Sequence, residues 1–321
     1  MTRLISRQIK ENISLKDYTT FKIGGKAKYF IEVQDQNQLI ETLRWAQNNH
    51  VPFFILGNGS NVLFSDQGFK GLVIKINIAT FKKINATTVL VGAGLTVGEF
   101  LEQCVKNSWS GYEWLAGIPG TMGGVIFGNA GAFGQEIKNF VKKVITFDFK
   151  NFKIKNYSLP QCHFDYRESI FKKKKEIILA AELKVAKGDQ EIIQKLIQDN
   201  WQYKISHHLF EYPSAGSVFK NILIERTIYK KYYDKKNNQV KILDEAIEVK
   251  GGKVSAGYFI EKTGLKGYQI GGAKVADFHA NVIINVKNAQ ANDVLELISL
   301  IKRKVYQKFK IKLEEEVIIV K

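Results

Sequence analysis

The chain has 321 residues, more than one average domain holds and enough for two or three. Hydrophobic residues make up 45% and charged residues 25%, which excludes long disorder and allows a sizeable core. The formal charge is +17, yet only six of the 48 basic residues are Arg (Arg3, Arg7, Arg44, Arg167, Arg226, Arg303), so a Lys-rich solvated surface is expected before a nucleic-acid face.

Cys104 and Cys162 are the only cysteines, which rules out a disulfide scaffold and fits a reducing compartment. No CxxC pair or Cys/His cluster suggests a metal site. The stretch MTRLISRQIKENISL lacks an apolar run of signal-peptide length, and no apolar run is long enough to span a membrane. A cytoplasmic protein without membrane insertion is expected.

The first 75 residues read as strand, helix, strand, strand. KYFIEV (28–33) alternates in part, and residues 38–49 place Leu39, Ile40, Leu43 and Ala46 at helical spacing. VPFFIL (51–56) is a short apolar strand that runs into Gly57-Asn58-Gly59-Ser60-Asn61; LVIKI (72–76) is another strand. Residues 80–186 are β-rich, with one helix expected over 97–107 behind a Thr96 N-cap. A helix is expected over about 189–204, and another over about 289–309 from the spacing of Val294, Leu297, Ile298, Ile301 and Val305. Residues 222–254, rich in Lys, Asn and Tyr, read as an insertion forming a hairpin or a mobile excursion, peripheral to any cofactor; lysine runs also stand at 172–175 and 230–236. The chain closes on a strand over 316–320.

Chemistry concentrates in a few segments. The two glycines of Gly57–Asn61 let backbone N–H groups approach an anion closely, as in a pyrophosphate nest; a plain tight turn accounts for the same residues equally well. The segment does not match the three-glycine dinucleotide fingerprint, because the third glycine is absent and VLFSD reads as a strand. Residues 117–134 carry seven glycines in eighteen positions and imply a long backbone-lined path, suited to a flavin dinucleotide or to a series of turns. Arg167 stands in Tyr166-Arg167-Glu168-Ser169, where a planar guanidinium has a task or merely pairs with Glu168. Ser217 follows Gly216, which leaves room for a ligand beside it; a plain turn serine accounts for the same residues equally well. Glu316, next to Glu314 and Glu315, reads as solvated on charge alone.

Taken together, TTFKIGG (19–25), LGNGSNVLFSD (56–66), AGIPGTMGGVIFGNAGAFG (116–134), YRESIF (166–171), PSAGSVFKN (213–221), GLKGYQIGGAKVADFHANVIIN (264–285) and LEEEV (313–317) resemble the UDP-N-acetylenolpyruvoylglucosamine reductase family, in the family's order and over nearly the whole chain. The resemblance implies an α+β fold. An FAD-binding domain of the vanillyl-alcohol-oxidase type would occupy two α+β subdomains, 1–75 and 76–205. A C-terminal substrate-binding domain would cover 206–321. It implies reduction of the enolpyruvyl ether of a UDP-sugar by NADPH through non-covalent FAD, in peptidoglycan precursor synthesis.

Residue by residue, the resemblance makes Arg167, Ser217 and Glu316 catalytic. It places FAD against Gly57, Asn58, Gly59, Ser60, Asn61, Ile118, Pro119, Gly120, Thr121, Gly123, Gly124, Asn129, Ala130 and Gly131. It places the nucleotide sugar against Tyr166, Lys204, His208, Lys220 and Asn221. The chain departs from the pattern at Ile222, where the family usually has Pro, at His207–Tyr212, and in the length of 222–254. Two alternatives remain at this point: another FAD-dependent oxidoreductase of the same fold acting on an alcohol or sugar, and a basic nucleic-acid-binding protein.

Overall fold

A computed structural model describes residues 5–174, 176–243 and 245–321; Arg3, Lys175 and Asp244 lie outside the described residues. The chain forms two compact units. The first comprises the chain up to Tyr18, Gly25–Ser60 and Gln67–Phe210; the second comprises Thr19–Gly24, Asn61–Asp66 and Glu211–Lys321.

Among the described residues, the first unit holds two larger sheets and two two-stranded ribbons. In one, the strands run in the order Lys10–Ser14, Lys26–Val33, Phe69–Ile76, Phe53–Leu56, with an antiparallel first pair and parallel neighbours after it. The helix Gln36–Asn48 carries the chain from Lys26–Val33 to Phe53–Leu56, which flank Phe69–Ile76 and run parallel to it. Asp35 caps that helix through Oδ1, which accepts the Gln38 N–H at 2.9 Å. Its apolar face (Leu39, Leu43, Ala46) is buried with Ile31, Val33, Leu72 and Ile74, each large side chain worth about 2 kcal/mol. The outer strand KENIS was not expected, since it has a single apolar residue. Its pairing is carried by backbone, and its charged side chains guard the sheet edge.

The second sheet is antiparallel, in the order Lys153–Ser158, Val141–Asp148, Glu176–Lys184, Thr88–Gly92, Phe81–Asn85. The helix Val97–Asn107 begins in a full capping box, with Thr96 and Glu99 each bonding the other's backbone N–H. It ends at Ser108, whose φ of 52° is left-handed. At the far edge, the Lys155 ammonium sits 2.7 Å from Asp148 and 3.0 Å from Glu176, clamping the 148–155 turn to the central strand. The helix Gln190–Ser206, capped by Asp189, completes the unit.

In the second unit an antiparallel sheet runs Ser214–Ser217, Val282–Asn285, Ala273–Val275, Gln269–Ile270. The helix Ala291–Phe309 buries Val294, Leu297, Ile298, Ile301, Val305 and Phe309, as its spacing implied. Its first N–H groups are met by the Asp66 carboxylate, at 2.7 Å from Ala291 and 3.0 Å from Asn292. Val62–Phe64 pairs in parallel with Ile318–Val320, so the closing strand is shorter than expected and has its partner in the N-terminal part of the chain.

Of the two readings of residues 222–254, the structure shows the hairpin rather than the excursion. These residues include a three-stranded meander, Tyr233–Asp234, Gln239–Ile242 and Glu245–Glu248, and bury Ile224, Val240, Ile242, Ile247 and Val249 in the second unit's core. The alternation that achieves this is short: Val240 and Ile242 point inward between exposed Gln239 and Lys241, within a composition that reads as polar. The whole is α+β, and no described helix is long and apolar enough to cross a membrane.

Candidate functional site

Within the first unit, the strand Phe53–Leu56 delivers the chain into the Gly57–Ser60 turn. Gly59 is buried and left-handed at φ 66°. A Cβ on Gly57 would stand 2.8 Å from Thr121 Oγ1, so the two glycine-rich segments lie against each other. Asn58 Nδ2 donates to the Pro119 carbonyl at 2.8 Å and ties them together. Among the described residues, the backbone N–H groups of Gly57, Asn58, Gly59 and Ser60, and those of Gly120 and Thr121, donate no hydrogen bond. Six donors left open on two adjoining loops make a cradle for an anion, and the missing Cβ atoms keep it accessible. This donor set fits the pyrophosphate of a flavin dinucleotide.

Thr121 then caps the short helix Met122–Phe127, its Oγ1 accepting the Gly124 N–H at 3.3 Å. Gly123 packs where no side chain fits: its Cβ would meet Ala93 Cβ at 2.7 Å and Ala93 O at 2.8 Å. Ile118 is half-buried, with its N–H on the Leu115 carbonyl at 2.9 Å. Asn129, read as a cofactor contact, commits its side chain elsewhere. Its Nδ2 donates to the Asp165 carbonyl at 2.8 Å, and its Oδ1 accepts the Lys138 N–H at 3.2 Å. Ala130 and Gly131 follow, bonded back to Val125 and paired with Glu136.

Asn129 thereby anchors the turn that presents Arg167. Asp165 and Glu168 exchange hydrogen bonds at 3.0 Å, leaving Tyr166 and Arg167 at the tip, with Arg167 left-handed at φ 55°. Its Nη2 donates to the Gly131 carbonyl at 2.8 Å, and its guanidinium lies 5.4 Å from the Tyr166 ring centre. One glycine-rich strand and Arg167 are thus held as a unit. A non-glycine residue in this conformation stores strain, which is a recurring mark of functional positions.

Lys204 is buried near the end of the helix Gln190–Ser206. Its Nζ donates to the Ala116 carbonyl, and its stem lies where a Gly117 side chain would be, 2.7 Å from that Cβ position. Burial pushes its pKa down to about 8. The structure therefore places Lys204 beside the start of the second glycine-rich segment. His208 is exposed, at φ 58°.

Ser217 and Glu316 both belong to the second unit, and the backbone brings them together. Ser217 is exposed at the end of Ser214–Ser217, and left-handed Gly216 (φ 71°) precedes it. The next residue, Val218, accepts the Glu316 N–H on its carbonyl at 2.8 Å. Glu316 is half-buried, where charge alone suggested solvation, and its own carbonyl accepts from Asn61 Nδ2 at 3.1 Å. Asn61, read as a cofactor contact, thus spends its amide on the backbone of Glu316. Lys220 Nζ stands 3.6 Å from Glu314, and Asn221 Oδ1 accepts the Ala256 N–H at 3.2 Å.

Sequence reasoning missed Thr20 and Asn281. Thr20 Oγ1 donates to the Ser214 carbonyl at 2.7 Å, and Asn281 bonds both backbone groups of Phe219. Both stand inside motifs already quoted, but the pattern does not say that their side chains serve the backbone. No group of three or more His, Cys, Asp or Glu side chains is placed to hold a metal ion among the described residues.

Two family models match the chain. Residues 27–148 match an FAD binding domain, and residues 208–320 match the C-terminal domain of UDP-N-acetylenolpyruvoylglucosamine reductase. The reductase of that name from Alkaliphilus oremlandii is 36% identical over 308 residues, 95% of this chain and 91% of its own. That from Carboxydothermus hydrogenoformans is 36% identical over 99% of this chain and 95% of its own. Among solved structures, the reductase from Thermus caldophilus superposes with a TM-score of 0.74 at 28% identity, covering 96% of this chain and 98% of that one.

Proposed function

The chain belongs to the UDP-N-acetylenolpyruvoylglucosamine reductase family, and from that premise we propose that it reduces the enolpyruvyl ether of UDP-N-acetylglucosamine to UDP-N-acetylmuramate, with NADPH as reductant and FAD as carrier. The observation that carries this reading is the end-to-end match, which includes the FAD binding domain and the reductase's own C-terminal domain in one chain. A flavoenzyme oxidising an alcohol or sugar would share only the first of these, and a nucleic-acid-binding protein neither. We keep 1–75, 76–205 and 206–321 as the functional division, and the cytoplasm as the compartment where a nucleotide-sugar precursor and NADPH are both at hand.

The cradle of Gly57–Ser60 and Gly120–Thr121 would hold the FAD pyrophosphate through backbone N–H groups, with Asn61, Ile118, Pro119, Gly123, Gly124, Asn129 and Ala130–Gly131 as the further proposed cofactor contacts. Bound there, FAD supplies the hydride that adds to the terminal carbon of the enol ether. Charge then develops on the neighbouring carbon and spreads into the substrate carboxylate. Arg167 stabilises that charge, because a cationic planar fork held in place needs no reorganisation when the charge appears. Its tie to the Gly131 carbonyl fixes the angle of the fork. Ser217 Oγ delivers the proton to the charged carbon, and Glu316 steadies the same intermediate. A hydroxyl is a weak acid and needs assistance, for which Lys220 is the neighbouring candidate. Tyr166, Lys204, His208 and Asn221 complete the proposed substrate contacts.

The test is direct. Purified protein should be yellow with FAD that denaturant releases, and it should oxidise more than about one NADPH per flavin at an appreciable rate when the enolpyruvyl nucleotide sugar is added. A colourless protein that FAD cannot reconstitute would overturn the whole reading.

A further inference from the structure

Asn281 is a polar side chain at 3% exposure in the second unit, and every polar atom of its carboxamide is spent on one residue. Its Oδ1 accepts the Phe219 N–H at 3.0 Å, and its Nδ2 donates to the Phe219 carbonyl at 2.8 Å. Its own carbonyl accepts the Val218 N–H at 2.8 Å. A carboxamide offers one donor and one acceptor side by side, as a peptide group does, and so replaces a rung of a β-ladder.

The rung is needed here. The ladder between Ser214–Ser217 and Val282–Asn285 shifts register between Ser214 and Ser217, with left-handed Gly216 inside the irregularity. Beyond it, the backbone no longer follows the regular pairing. On the other side, Val218 accepts the Glu316 N–H at 2.8 Å and the Lys220 N–H reaches the Glu314 carbonyl at 2.9 Å. Phe219 forms an isolated bridge with Glu315 between them. Whatever fixes Phe219 therefore fixes Ser217, two residues before it, and Glu316 beside it.

We propose that Asn281 is a positioning residue for proton delivery, holding the backbone that carries Ser217 in register with Glu316; this rests on the roles assigned to that pair above. Its side chain is wholly engaged by Phe219, so it acts through the pair and not on substrate. Asp lacks the donor, Leu lacks both groups, and the longer Gln cannot reproduce the spacing. The positional demand is strict, because a displacement of about 1 Å in a reacting group can cost about a hundredfold in rate.

The experiment uses full-length holoprotein carrying Asn281→Asp or Asn281→Leu, alone and with Ser217→Ala. FAD content and flavin reduction by NADPH should stay at wild-type values. Reoxidation of the reduced flavin by the enolpyruvyl nucleotide sugar should slow by about a hundredfold, in kcat and not in KM. The double variant should be slower than Ser217→Ala by much less than the factor that the Asn281 change costs alone, since proton delivery is lost once and only the shift of Glu316 adds to it. Amide hydrogen exchange of a peptide covering 213–221 should quicken at Val218 and Phe219 in either variant, an effect read without turnover. Slowing that multiplies with Ser217→Ala, or rapid exchange with unchanged reoxidation, would overturn the proposal. A wild-type protein whose reduced flavin the nucleotide sugar does not reoxidise would instead overturn the functional reading, and the exchange arm would still report whether Asn281 holds the strand.

Discussion

Lys204 is a base buried in a place where its charge is costly, and that cost can be measured. Burial lowers its pKa from 10.5 to about 8. Below pH 8 the ammonium is charged in both folded and unfolded chains, and the folded state carries the full penalty. Between pH 8 and 10.5 the unfolded chain binds more protons than the folded one, so stability rises with pH; above 10.5 the penalty is gone. A shift of that size corresponds to about 3 kcal/mol in all, of which about 2.5 kcal/mol falls between pH 7 and pH 10. Lys204→Met keeps the length of the stem beside Gly117 and removes the titration. Urea unfolding of wild-type and Lys204→Met holoprotein, followed by flavin and tryptophan fluorescence at each pH, gives two stability curves. Their difference cancels the buried tyrosines and cysteines that also titrate in this range. The variant should gain most on the wild type at pH 7 and lose about 2.5 kcal/mol of that advantage by pH 10. Parallel curves would mean that the Lys204 ammonium is well solvated or paired, and the argument from burial would fall.

Ser217→Ala should leave flavin reduction by NADPH near its normal rate and slow reoxidation by the enolpyruvyl substrate roughly a hundredfold or more. Stopped-flow flavin spectra separate the two steps, and equal slowing of both would point to a collapsed site. Gly123→Ala puts a Cβ 2.7 Å from Ala93 Cβ and 2.8 Å from Ala93 O, neither of which can swing aside. It should cost about 1–3 kcal/mol in a thermal or urea melt. Gly124→Ala, with nothing nearer than Thr121 Oγ1 at 3.7 Å, is the control and should stay within about 0.5 kcal/mol; matching losses would refute the packing argument. Lys155 donates to Asp148 and, with help from Asn151, holds that carboxyl well below the usual range. The stability this provides is present above the unfolded carboxylate value of about 4 and is lost as pH falls. Lys155→Met should therefore move acid unfolding to higher pH, and an unchanged acid titration would show that the clamp contributes nothing.

What the sequence made legible follows from which physical signal it carries. The helix Val97–Asn107 was readable from its Thr96 cap and Ala291–Phe309 from its apolar period, and both ran close to their expected bounds. The strand Lys10–Ser14 was not, since a polar edge strand is held by backbone pairing that leaves no pattern in side chains. The meander within 222–254 hid its Val240/Ile242 alternation inside a lysine-rich composition. At the candidate site, the glycines told of close backbone approach before any geometry was known. They did not tell that Asn129 and Asn61 serve carbonyl and amide groups of the chain itself.

The make-up of the second unit bears on the order in which the protein is synthesised. Thr19–Gly24 and Asn61–Asp66 belong to it, yet they leave the ribosome long before Glu211–Lys321 does. Val62–Phe64 must wait for Ile318–Val320, far along the chain, and the Asp66 carboxylate must wait for the helix it caps. The second unit therefore cannot close until Ile318–Val320 has emerged, however early the preceding segments fold. A fragment beginning at residue 206 would lack the edge partner of its last strand and the cap of its longest helix. No single cut in this chain separates two self-sufficient halves, so an exchange of modules between relatives would have to carry three pieces at once.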